Sequence, residues 1–340
     1  MNCCLISNKE RTARVCTVEA PCKINLHLVI KEKRPDGFHM LESLFASLAL
    51  SDTLRFEINK SGKKGGCLQK SNNLRFSDQL FADWELPPHE CPGKPIPPEN
   101  NLVSKAVLLF REKTGFEEGL NIRLRKRIPA GAGLGGGSSD AASTLLALNA
   151  LAGTALPIEE LKEMAAVLGS DVPFFISGGA AFVGGRGELI EPLKPPEGLW
   201  VVLVKPPFSS DTASAYRLLD ETRESASGPV IPKENLPKNV IIKSLEDDPF
   251  SWPYQNDFLH VFLSARDGEN GKKALAYRAV LQRLEKAGAV FTGLSGSGSC
   301  CFGVFIGKKS AKRAEKELSG CGNFVKLTFF LAYKADPVLE

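Results

Sequence analysis

The chain has 340 residues and a formal charge of +4, with 43% hydrophobic and 24% charged residues. This balance belongs to a globular protein long enough for about two domains, and it excludes a disordered or collagen-like chain. No apolar run reaches the ~20 residues of a membrane span, and the charge is too mild and dispersed for a nucleic-acid footprint.

Residues 1–14 lack the apolar region of a secretory signal and are short for an organellar transit peptide, so they read as a frayed extension. Nine cysteines, two adjacent pairs among them and no CxxC, argue against a disulfide framework or a zinc knuckle. Reduced thiols in a cytoplasmic protein are the expectation. From residue 14 a strand begins in which Ile24, Leu26, Leu28 and Ile30 point one way. Lys23, Asn25 and His27 lie between them, so Lys23 and Asn25 share a face.

Residues 60–101 are rich in Gly, Pro and polar side chains and read as a surface insertion; Cys67, His89 and Cys91 are too scattered within it for a metal site. A helix is predicted over 101–113, with Leu102, Ala106 and Leu109 at helical spacing, then an amphipathic strand over 121–128 with Arg123, Arg125 and Arg127 on one face. A helix follows the glycine-rich stretch 129–142 and ends near Gly153; another runs from Pro157 to Gly169. The run LWVVLV, 199–204, is a buried strand that opens a second unit after Pro195 and Pro196. Helices over 272–287 and 310–318 and a strand over 324–332 complete an alternation of strands and helices. The expected architecture is α+β, with domains over 14–194 and 195–340.

Five glycines lie within the eleven residues Pro129, Ala130, Gly131, Ala132, Gly133, Leu134, Gly135, Gly136, Gly137, Ser138 and Ser139, immediately before a helix. Glycines let successive backbone N–H groups converge on an anion, and the helix N-terminus adds its unpaired donors. A phosphate loop is one reading; a Gly-rich turn with Ser138 or Ser139 as a plain N-cap is the other. Gly131, Gly133 and Gly136 satisfy GxGxxG, but the acidic residue that a dinucleotide fold wants ~20 residues on falls on Glu159 and Glu160, at a helix start. A GxxxxGK[ST] loop is absent, as are the protein-kinase signatures.

The string PAGAGLGGGSSDAA resembles the phosphate-binding signature of the GHMP small-molecule kinases. PCKINLHLVIKEKRPDGFHMLESLF (21–45), LGSDVPFF (168–175) and LSGSGSCCFGVF (294–305) are similar to segments of one branch, the 4-diphosphocytidyl-2-C-methyl-D-erythritol kinases. The resemblance covers nearly the whole chain, in the expected order. It implies an N-terminal domain like the second domain of ribosomal protein S5, a ferredoxin-like C-terminal domain, and an active site between them. The implied reaction uses ATP, with Mg2+ expected, to phosphorylate the 2-hydroxyl of a cytidine-diphosphate-linked methylerythritol in the non-mevalonate isoprenoid pathway.

Carried over by position, the resemblance makes Asp171 the catalytic aspartate and Lys23 the active-site lysine. Asn25 places the substrate, His39 reads the cytosine, Phe38 and Tyr216 supply aromatic faces to it, and Thr212 lies near the reacting group. The residues 129–139 hold ATP. Without the resemblance, Asp171 reads equally as a turn or N-cap residue before Pro173, and Lys23 as an exposed lysine on an edge strand. The chain departs from the branch at Phe38, where Tyr is usual, at Asp211 for a common Ser, at Cys22 for Ala, and in the length of 60–101. Another GHMP kinase, such as a homoserine or mevalonate kinase, and a non-catalytic nucleotide-binding module are the rival readings. The first lacks the paired PxKINL and DGFH segments; the second predicts loss of Lys23 or Asp171.

Overall fold

The computed structural model describes residues 15–35, 37–59, 78–85, 100–224, 236–319, 323–332 and 336–340. The extension 1–14, Asp36, and Cys67, His89 and Cys91 of the expected insertion lie outside the described residues. Two long strands, β1 (Val15–Lys33) and β2 (His39–Ile58), lead into β3 (Gln79–Trp84), α1 (Leu102–Thr114), β4 (Leu120–Lys126) and α2 (Gly136–Ala152). Then come α3 (Ile158–Leu168), α4 (Val172–Ser177), β5 (Ala180–Gly184) and β6 (Leu189–Leu193). All six strands join one sheet, in which β3 runs parallel to β4 and the other pairs are antiparallel.

Beyond residue 199 the chain forms β7 (Trp200–Lys205), α5 (Thr212–Glu224), α6 (Lys238–Lys243), α7 (Asp257–Ser264) and α8 (Gly268–Lys286). It continues with β8 (Phe291–Leu294), β9 (Cys301–Phe305), α9 (Lys308–Leu318), β10 (Phe324–Phe329) and β11 (Val338–Leu339). The second sheet is fully antiparallel in the order β10-β7-β9-β8. Counted within the unit this is 4-1-3-2 with βαββαβ connectivity, the ferredoxin-like arrangement. The tail returns to the first sheet, where β11 pairs with β1.

Packing explains the sequence patterns. The first sheet buries one core against α1, α2, α3 and α4, built around Phe56, Phe110, Leu145 and Phe174. A second core lies between the sheets and joins Ile24, Leu26 and Leu48 to Leu203 and Phe302. The far face of the second sheet packs Val202, Val204 and Phe305 against the helices that follow β7. Burial on both faces is why LWVVLV is continuously apolar.

A register shift between Pro21 and Cys22 interrupts the β1–β2 ladder. Before it, Cys16, Val18 and Ala20 pack toward the helices; after it, Cys22, Ile24 and Leu26 pack toward the second sheet. Such irregularities re-aim side chains, and here Lys23 is left facing the helix side. A second shift between Asn25 and His27 takes His27 away from that face: its Nδ1 accepts from the Gln255 N–H at 3.2 Å. Burial lowers the His27 pKa to about 4, so it stays neutral. His27 therefore does not continue the Lys23–Asn25 face as the alternation predicts. Among the described residues, no helix is long and apolar enough to cross a membrane.

Candidate active site

The glycine loop opens where the sequence places it, but its helix starts earlier. α2 begins at Gly136, its cap is Gly135 in the left-handed region at φ 70°, and no side chain caps it. Ser138 and Ser139 therefore sit in the first turn, and the N-cap reading of either serine is set aside. Positive φ at Gly133 and Gly135 needs glycine, and crowding reinforces the need. A Cβ on Gly133 would stand 2.1 Å from the Ser295 carbonyl oxygen, and one on Gly135 would stand 2.8 Å from the Phe175 ring.

Two segments of the second unit clasp this loop. Ser295 Oγ donates to the Gly133 carbonyl at 2.8 Å, the Cys300 N–H to Ala132 at 3.1 Å, and the Ser210 N–H to Gly131 at 3.3 Å. Asn256 Nδ2 holds the 294–296 turn by donating to the carbonyls of Leu294 and Gly296. Thr212, at the start of α5, lies with its Oγ1 3.0 Å from Ser297 Oγ. Asp211 accepts from the Ser214 N–H and hydroxyl at 2.9 and 2.7 Å, the bonds of a helix N-terminal cap.

On one side of the loop is the Lys23–Asp171 pair. The Lys23 N–H donates to the Leu134 carbonyl at 3.0 Å, which ties β1 to the glycine loop. Lys23 Nζ lies 2.7 Å from Asn25 Oδ1, 3.4 Å from Asp171 Oδ2 and 4.3 Å from the Phe45 ring centroid. Asn25 Nδ2 in turn donates to Ser43 Oγ at 2.9 Å. Asp171 occupies the cap position of α4 yet its side chain makes no cap bond. The carboxylate is 34% exposed while the ammonium is 5% exposed, so Lys23 is a fixed charge and Asp171 is open to a ligand. The buried Lys23 is not an exposed edge-strand lysine; Asp171 does occupy the turn and cap position before Pro173, but its side chain caps nothing.

On the other side lies a cavity of about 510 Å³ lined by Ala82, Trp84, Asn101, Leu102, Ile128, the glycine loop and Asp140. That volume suits one nucleotide-sized ligand. Ala82 and Trp84 belong to β3, so part of the segment read as a surface insertion is a strand of the main sheet and a wall of the cavity. Beneath the loop, Lys126 Nζ donates to Asp52 Oδ2 and, at 2.6 Å, to Asp140 Oδ2. Asp52 Oδ1 also accepts the N–H groups of Arg127 and Ile128. Burial, reinforced by Asp52 and opposed by Lys126, pushes Asp140 from 3.8 up to about 7. Lys126 itself is raised because its two carboxylates outweigh its burial.

The residues assigned to the base by resemblance form a third group. His39 Nε2 is 2.8 Å from Asp220 Oδ1, and the Tyr216 ring stacks on His39 with centroids 5.0 Å apart. Burial, with Asp171 adding to it, raises the Tyr216 hydroxyl to about 12. Phe38 is 54% exposed, with the Arg186 guanidinium 4.1 Å from its ring centroid. Both aromatics are thus held by protein groups on at least one side. Reading the sequence alone missed Lys126, Asp52, Trp84, Ser295 and Asp220. Lys126 carried a faint signal, since it ends a strand directly before the loop; the others are brought in only by the fold.

Known proteins resemble the chain over most of its length. The model for the GHMP kinases N terminal domain matches residues 101–179, and that for the GHMP kinases C terminal domain matches 260–323. The 4-diphosphocytidyl-2-C-methyl-D-erythritol kinase of Thermodesulfovibrio yellowstonii is 36% identical over 304 residues, which cover 89% of this chain and 94% of that one. The chain belongs to the 4-diphosphocytidyl-2-C-methyl-D-erythritol kinase family. The chloroplastic relative from Oryza sativa is 41% identical over 65% of the chain, and the chain spans about half the length of that relative and of the Mentha piperita one. A crystal structure of a 4-(cytidine 5'-diphospho)-2C-methyl-D-erythritol kinase superposes with a TM-score of 0.67 at 32% identity, over 92% of this chain and 98% of that one. A homoserine kinase from Cytophaga hutchinsonii, 18% identical with a TM-score of 0.63, shares the fold.

Proposed function

We propose that the chain transfers the γ-phosphoryl group of ATP to the 2-hydroxyl of 4-diphosphocytidyl-2-C-methyl-D-erythritol, giving the 2-phosphate and ADP. The observation that carries this reading is the Lys23–Asp171 pair beside the glycine loop, in a chain of this family. Phosphoryl transfer needs an aligned alcohol and compensation of charge on the transferring oxygens. Asp171, unused as a cap and partly open, accepts the proton of the alcohol; Lys23 meets the developing negative charge. Asn25 steers the Lys23 ammonium and offers its amide to the substrate.

The glycine loop and the start of α2 receive the phosphates, and the cavity between Trp84, Leu102 and Ile128 receives the nucleotide's base. A bound Mg2+ would supply positive charge against the phosphates. Ser139 Oγ and Asp140 Oδ1 fit that ion as hard oxygen donors: both are buried at the start of α2 with no protein partner. The His39 and Tyr216 group, with Phe38, takes the cytosine, and Thr212 lies at the reacting end of α5. The division into units at 194/195 supports a site closed by both, since segments 208–212 and 294–300 clasp the loop. The buried thiols Cys16, Cys22, Cys300 and Cys301 support a reducing, cytoplasmic setting.

ADP release from Mg·ATP, measured with the diphosphocytidyl substrate and in parallel with homoserine and mevalonate, tests the reading. Turnover confined to the cytidine compound is expected. Release only with a cytosine-free alcohol would overturn it.

A further inference from the structure

α5 presents Tyr216 and Asp220 one helical turn apart, so both side chains reach the same neighbour. That neighbour is His39, the first residue of β2, whose side chain is 6% exposed. Tyr216 covers the ring face, at an interplanar angle of 23°. Asp220 Oδ1 meets Nε2 at 2.8 Å, and its other oxygen, Oδ2, accepts from Lys33 Nζ on β1 at 2.9 Å. Burial raises the Asp220 carboxyl, but the bonds from Lys33 and His39 outweigh it and hold the group below its ordinary value. Asp220 is therefore a carboxylate, and a carboxylate only accepts. The hydrogen of a neutral His39 must then sit on Nε2, which leaves Nδ1 with a free lone pair.

We propose that Asp220, anchored by Lys33, is a positioning residue that sets base specificity by locking His39 in the tautomer whose Nδ1 accepts a hydrogen bond. The inference rests on the function proposed above. A pyrimidine with a 4-amino group donates to such an acceptor. A 4-oxo pyrimidine sets a lone pair against it, and a site built for one pattern rejects the other. The cytidine-linked substrate is thereby separated from its uridine-linked counterpart by a proton held on the far side of the ring.

The substitution that reverses the proton is Asp220→Asn. The Lys33 ammonium can only donate, so it keeps the amide oxygen and turns the amide NH2 toward Nε2, which must then accept; the hydrogen moves to Nδ1. Two measurements on the full-length enzyme at about pH 8, above the ordinary histidine range, test this. Long-range ¹H–¹⁵N spectra of the histidine rings should show His39 protonated on Nε2 in the wild type and on Nδ1 in Asp220→Asn. The ratio of kcat/KM for the cytidine-linked over the uridine-linked substrate should fall on the order of ten- to a hundred-fold in the variant, mainly through KM of the cytidine compound. Adding Lys33→Met frees the amide to turn its oxygen to Nε2 and should restore part of the ratio. An unchanged ratio in a folded Asp220→Asn enzyme overturns the proposal, and so does a wild-type ring protonated on Nδ1, a result that needs no variant to fold. A wild type that phosphorylates neither substrate overturns the function beneath it, an outcome that the wild-type assay alone identifies.

Discussion

Two lysine–carboxylate groups flank the glycine loop, and they are built in opposite ways. Lys126 is closed in with Asp52 and Asp140, all three side chains almost fully buried. Lys23 is buried alone and reaches Asp171 across 3.4 Å, with the carboxylate left partly in solvent. The first arrangement leaves little freedom and ties β4, β2 and α2 into one support. The second leaves Asp171 accessible to a substrate hydroxyl. Charge pairs that hold a site can be sealed, whereas a pair that does chemistry must keep one member open to the substrate.

Lys126→Met should show how much the sealed group supports. Two carboxylates would be left buried without their cation, a loss of about 3–5 kcal/mol, read as a lower urea midpoint with an unchanged slope. Asp171→Asn should do the reverse: kcat falls by about 10²–10⁴ while stability stays within about 0.5 kcal/mol of wild type. Equal losses of stability in the two variants would erase the contrast. Gly133→Ala probes the loop between them. A methyl at φ 73°, facing the Ser295 carbonyl, should cost more than about 1 kcal/mol and raise the KM for ATP.

The finest test uses pH. Asp140 is raised from 3.8 to about 7 in the folded state, so between those values the native protein binds more protons than the unfolded chain. Its contribution to stability therefore falls as pH rises from about 4 to 7 and is level above that. Asp140→Asn should remove this slope from urea midpoints measured across the window. An unaltered slope would show that Asp140 shares no proton equilibrium with its neighbours.

Local chemistry made part of this legible in the sequence. Alternation put Lys23 and Asn25 on one face, and the density of glycines before a helix marked the loop. Apolar spacing also located α1, α3 and β7 to within a residue or two. What stayed hidden depends on pairing over distance. Asp52 meets Lys126 only through the register of β2 on β4, and Asp220 meets His39 only because α5 crosses to the β1–β2 hairpin. Trp84 is hidden in a polar stretch, since a six-residue strand between Gly- and Pro-rich segments has too little periodicity to stand out. Alternation alone puts His27 on the Lys23 face, because a register shift leaves no mark in the residue pattern.

The most direct test of the central claim is single-turnover phosphoryl transfer from ATP to the diphosphocytidyl substrate by wild type and Asp171→Asn, with thermal melts of the same samples. Expected is rapid transfer by the wild type, a transfer rate at least about a hundredfold lower in the variant, and closely matching melts. Transfer at the wild-type rate by a well-folded Asp171→Asn enzyme would contradict the claim that this open carboxylate takes the proton.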